Sequence, residues 1–95
     1  MIKKPYILCA AYWHRANRLY KGQPENIRRG YVVAGWRHGN CIETHQELCT
    51  EKPYGVQGFL TSDNRFVSRR AAAKIAFEAG QTGNNVECLT SEDLY

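Results

Sequence analysis

Residues 56–81, VQGFLTSDNRFVSRRAAAKIAFEAGQ, spell out a strand, a turn, a second strand and a capped helix without a break. VQGFL has β-forming character, and TSDN is made of the residue types that turn chemistry prefers. RFV resumes as a strand, and Ser68 stands where a helix N-cap belongs. In the following RRAAAKIAFEAG, Ala72, Ile75, Ala76 and Ala79 share one face, and Gly80 supplies a stop signal. Such a segment points to an α+β chain.

The flanking sequence fits the same class. Residues 6–13, YILCAAYW, and 31–36, YVVAGW, are apolar and aromatic and read as two strands paired in a hairpin. Between them residues 14–30 contain Gly22 and Pro24 and are expected to form a long exposed connection. Asn40 followed by Glu43 suggests a capping box opening a short amphipathic helix over residues 41–50, which Pro53 and Gly55 would stop. The tail, NNVECLTSEDLY, offers one more short strand. The expected fold is a small antiparallel sheet with two short helices, in a single domain spanning residues 1–95. At 95 residues a lone core is modest, so an oligomer is expected to add buried area.

Composition narrows the function classes. With 43% hydrophobic and 23% charged residues the chain is neither a disordered tail nor a membrane span. Its net charge of +4 favours anionic partners, but the basic residues are spread along the chain rather than gathered in a block. No secretory leader is evident in MIKKPYILCAAYW, so a cytosolic setting with reduced thiols is expected. The four cysteines then read as small buried hydrophobes. A zinc site is the sharper alternative, because Cys41, His45 and Cys49 recur at steps of four. Along one helix those three side chains span about 12 Å, too far for one ion. No metal and no cofactor are expected.

Catalytic motifs are equally sparse. There is no nucleophile elbow, no Walker loop and no metal-hydrolase signature, which leaves Cys41 with His38 as the single nucleophile–base candidate. A binding site asks for less. GWRHGNC puts Trp36, Arg37 and His38 side by side just after a strand. Arg37 suits a pyrophosphate through paired contacts, and Trp36 or Phe59 offers a flat face to a purine. Asn64, Asn40 and Gln57 carry amides able to read a ribose or base edge. Arg69 and Arg70 fall in the first helical turn, where the dipole disfavours cations and an anion would relieve the misplacement.

Taken in order, GWRHGNC, VQGFLTSDNRFVSRRAAAKIAFEAGQ and the closing LTSEDLY resemble the phage anti-Thoeris sponge family, over residues 31–42 and 56–95. Where relatives carry an acidic residue early in the second helix, this chain has Arg70 and Ala71. It also has Ser68 where an asparagine is common, and it lacks the basic residue often found soon after Gln81. The resemblance implies an oligomeric α+β protein, a dimer or hexamer, with ligand sites between neighbouring protomers. Such a protein sequesters cyclic ADP-ribose isomers, and in some relatives cyclic oligonucleotides, without cleaving them.

By matching position, Arg37, His38, Phe59, Ser68 and Arg69 would line the site, with Trp36 and Asn64 beside them. The expectation is therefore a viral anti-defence sponge that is not an enzyme, acting in the cytoplasm of the infected bacterial host. Its partners would be a small cyclic nucleotide signal and further copies of itself, with no membrane and no nucleic acid. Two alternatives stand beside it: a small basic nucleic-acid-binding module, and a cysteine–histidine nucleotide hydrolase.

Overall fold

The computed structural model describes residues 4–48 and 55–94. Four strands form one antiparallel sheet: β1 (Ile7–His14), β2 (Tyr31–Gly35), β3 (Gly55–Thr61) and β4 (Phe66–Ser68). Their spatial order is β2-β1-β3-β4. Helix α1 (His38–Leu48) follows β2, and α2 (Arg69–Glu78) follows β4 directly. The chain is thus α+β, with the two hairpins and two helices that the sequence pattern suggests. No helix among the described residues is long and apolar enough to cross a membrane.

Side chains alternate across β1, and each parity feeds a different core. Ala10 and Tyr12 join Val33, Phe59 and Val67 beneath Cys41 of α1 and Ala72, Ala73 and Ala76 of α2. The alanines keep α2 close to the sheet because no longer side chain holds it away. On the other face Ala11 and Phe66 pack with Ile27, flanked by Trp13, Val32, Val56 and Leu60. Ile27 belongs to the connection between β1 and β2, which is largely exposed as expected but also covers the sheet through its buried Pro24 and Ile27. An apolar sheet face must be shielded from water, and this is the segment that lies over it. Gly30 returns the chain to β2 with φ +71°, and a Cβ there would lie 1.9 Å from the His14 carbonyl oxygen.

Side-chain amides finish the sheet. Phe66 N–H donates to Asn26 Oδ1 (2.8 Å), while Asn26 Nδ2 donates to the Phe66 carbonyl (2.6 Å). One amide thereby stands in for a strand along β4. Val32 N–H of β2 donates to Gln23 Oε1 (2.8 Å). Both edge strands are blunted in this way, which discourages strand addition. Gln81 makes the same paired contact with the Ile7 N–H (2.7 Å) and carbonyl (2.8 Å), beside the irregularity in β1 between Ile7 and Cys9.

Three boundaries differ from the sequence reading. Helix α1 begins at His38, before Asn40, and Asn40 Oδ1 accepts the Arg37 N–H (3.1 Å) from within the first turn. Asn40 therefore fills the third position of a capping arrangement instead of opening it. The end expected at residues 49–50 and Pro53 lie outside the described residues, and Gly55 starts β3. The tail forms a 3-10 turn at Ser91–Asp93 in place of a strand. Leu89 anchors it in the core, with its N–H donating to the Arg69 carbonyl (3.0 Å). Helix α2 keeps its expected ends: Ser68 Oγ accepts the Ala71 N–H (3.2 Å), and Gly80 (φ 76°) closes a Schellman motif. In that motif Gln81 N–H donates to the Ala76 carbonyl and Gly80 N–H to the Phe77 carbonyl.

Candidate anion-binding site

The starts of the two helices and the C-terminal 3-10 turn meet around a cavity of about 420 Å³. Arg37, His38 and Asn40 enter from α1, Arg69 from α2, and Ser91 and Glu92 from the turn. Two guanidinium groups far apart in sequence thus share one concavity. Their convergence follows from topology: β2 and β4 are the outer strands, each runs straight into a helix, and the helices lie on one face of the sheet.

Each arginine is held differently. Arg69 Nη2 donates to the side-chain carbonyl of Gln57 on β3, so its guanidinium leans across the sheet rather than out along α2. Arg69 Nε is buried with no hydrogen-bond partner among the described residues. An N–H kept from water without an acceptor is unfavourable by about 1–3 kcal/mol. Arg37 lies over the Trp36 ring, 4.6 Å from its centroid, and its Nη1 is 3.2 Å from Glu92 Oε1. Trp36 itself is 64% exposed and borders the cavity through Arg37. At the start of α1 the Asn40 and Cys41 N–H groups both donate to the Arg37 carbonyl (3.0 and 3.2 Å).

His38 is buried, and its Nε2 is 2.7 Å from the Gly58 carbonyl oxygen. A carbonyl only accepts, so Nε2 carries the proton and Nδ1 is the bare nitrogen of the neutral ring. Burial pushes the imidazole pKa down, and the nearby Arg69 adds to that; the Gly58 carbonyl and Glu92 oppose it. The ring also stands edge-on to Phe59, 4.9 Å between centroids. His38 therefore pins α1 to β3 while presenting a neutral wall to the cavity.

Three of the sequence candidates go elsewhere. Phe59 is 0% exposed in the interior of the sheet, so it cannot stack on a ligand. Strand β3 lies between β1 and β4 with α2 packed against it, and that position turns Phe59 into core. Asn64 sits in the β3–β4 turn with φ 61°, and its carbonyl accepts the Glu25 N–H (2.9 Å). Asparagine tolerates that left-handed conformation, which accounts for its presence without a ligand. Ser68 caps α2 and faces a second groove of about 610 Å³, shared with Arg70, Lys74 and Phe77. Arg70 turns away from Arg69 and lies 3.4 Å from Glu87.

The cysteine and histidine chemistry is placed as plainly. Cys41 is fully buried, and burial together with the neighbouring Cys9 pushes its thiol pKa up to about 11. At neutral pH it is a thiol and a poor nucleophile. His45, four residues on, meets His14 instead of a metal ligand on its own helix: His14 Nδ1 is 2.7 Å from His45 Nε2. The two rings sit among Tyr12 and Tyr31, and Cys49 lies outside the described residues.

Thr90, Ser91, Glu92 and Glu43 also line the cavity and were not among the sequence candidates. A signal for the turn was present, since Thr90 and Asp93 have capping-box spacing. Thr90 N–H and Oγ1 both donate to Asp93 Oδ2 (2.9 and 3.0 Å).

No curated protein and no solved structure matches this chain significantly. The family model described as Phage T4 y16D protein matches residues 6–95, nearly the whole sequence that builds the sheet, both helices and the cavity. The chain belongs to the Phage T4 y16D protein family, a family of phage proteins.

Proposed function

We propose that this protein captures a compact phosphorylated nucleotide in the Arg37–Arg69 cavity and holds it without cleaving it. The observation that carries the reading is the meeting of those two guanidinium groups beside an arginine N–H that is buried without an acceptor. Arginine forks suit phosphate oxygens, and a cavity of this size falls within the range that small-molecule ligands occupy. Trp36, exposed next to the cavity, replaces Phe59 as the surface for a base. The buried Cys41 stays a thiol at neutral pH, which argues against a cysteine nucleophile at the site.

Together with the resemblance of the sequence to anti-Thoeris sponges, this supports a phage anti-defence role. The ligand would be a cyclic ADP-ribose isomer or a cyclic oligonucleotide, bound in the cytoplasm of the infected host. Buffering a signal requires tight binding, and nanomolar affinity corresponds to about −12 kcal/mol. A second protomer over the cavity mouth would supply the enclosure, so a homo-oligomer is part of the reading.

Calorimetry with cyclic ADP-ribose isomers and cyclic di- and trinucleotides tests it. Nanomolar to low-micromolar binding is expected, with the ligand recovered unchanged after the complex is heated. Arg69→Ala should weaken that binding at least tenfold. Altered ligand after heating would indicate catalysis. Binding to duplex DNA with a steep inverse dependence on salt would indicate a nucleic-acid module instead.

A further inference from the structure

The cavity already holds an anion of its own. Glu92 reaches Arg37 Nη1 from the 3-10 turn at 3.2 Å, and its side chain is 72% exposed against 28% for Arg37. Glu43 lines the same walls, so two guanidinium groups face two carboxylates around a neutral His38. The formal charges lining the cavity are therefore close to balanced. The backbone that carries Glu92 is anchored, because Ser91 and Leu89 are buried and the Thr90–Asp93 contacts hold the turn.

We propose that Glu92 selects the ligand: it reserves the cavity for molecules carrying two linked phosphates and disfavours those carrying one. This rests on the reading of the cavity as a nucleotide site. A single phosphate that takes Arg37 merely exchanges one anion for another, and it then sits beside a displaced carboxylate that repels it. A diphosphate loses the same contact but spans to Arg69, the second cation lining the cavity. The second contact has a neutral amide, Gln57, beside it and no paired carboxylate among the described residues. Discrimination between one and two phosphates therefore comes from an internal carboxylate as much as from the arginines.

ADP and AMP are the probes, since they share a nucleoside and differ by one phosphate. Calorimetric titrations of the full-length protein should show ADP binding more tightly than AMP by about tenfold. Glu92→Gln keeps the size of the side chain and removes its charge. It should tighten AMP by about tenfold and ADP by clearly less, so that the ratio collapses. Glu87→Gln makes the same change of net charge at the second groove and should leave both affinities unchanged.

An unaltered ADP/AMP ratio in Glu92→Gln overturns the inference. So does equal tightening in Glu87→Gln, equal wild-type affinities, or a wild type that binds cyclic ADP-ribose but not ADP. In each of those cases the nucleotide site itself stands. If neither protein binds ADP, AMP or cyclic ADP-ribose, the nucleotide reading falls as well.

Discussion

Asn64 shows how one residue type serves two ends. As an amide in a polar loop it looked able to read a ribose, yet its backbone conformation (φ 61°) explains it without any ligand. Replacing Asn64 with glycine should leave ligand affinity unchanged and shift stability by no more than about 1 kcal/mol, because glycine adopts that conformation freely. Denaturant unfolding beside calorimetry checks both halves. Phe59 misled for a related reason: an aromatic after a glycine reads the same whether its strand is an edge or an interior one. Its burial depends on β3 pairing with both β1 and β4, information that no local window contains. Arg37 was legible beside an aromatic and a histidine just after a strand, and Arg69 as a cation in the first turn of a helix. Their shared cavity was not, and neither was Glu92, which arrives from the far end of the chain.

Among the elements, the β3–turn–β4–α2 segment was the most legible. Its period, turn residues, N-cap and C-terminal glycine all point the same way, and Ser68 and Gly80 sit where that chemistry places them. Helix α1 was harder, since asparagine can occupy either end of a capping box, and Asn40 takes the inner one. The β1–β2 connection was read from its polarity and from Gly22 and Pro24, which do not show that Gln23 and Asn26 bond to the strand edges while Ile27 fills the core. Asn26→Ala removes two hydrogen bonds from the part-buried backbone of Phe66 and should destabilise the fold by about 1–3 kcal/mol. The same variant bares the β4 edge, so slow self-association in concentrated samples should accompany the loss. Urea unfolding with light scattering measures both, and an unchanged midpoint would contradict the role given to that amide.

Across the whole molecule, buried imidazoles tie stability to pH. Burial pushes the His38 and His45 pKa values below the ordinary 6.5, with His14 adding to the effect at His45. The unfolded chain therefore takes up protons first as the pH falls, and its share rises. Stability should be level above about pH 7 and decline as the pH drops through 6.5 towards the folded-state values. Equal unfolding midpoints at pH 7.5 and 5.5 would contradict neutral, buried rings at these positions. The His14–His45 contact joins β1 to α1 across residues far apart in sequence, which is why a reading confined to α1 paired His45 with cysteines instead.

The central claim concerns place: the ligand enters the cavity between the starts of α1 and α2, not the larger groove along α2. Amide chemical-shift mapping during titration with cyclic ADP-ribose addresses it directly. The account predicts that the largest shifts fall on residues 36–40, Arg69 and Thr90–Glu92. Shifts concentrated on Arg70, Lys74, Phe77 and Asn85 would put the ligand in the other groove and contradict it.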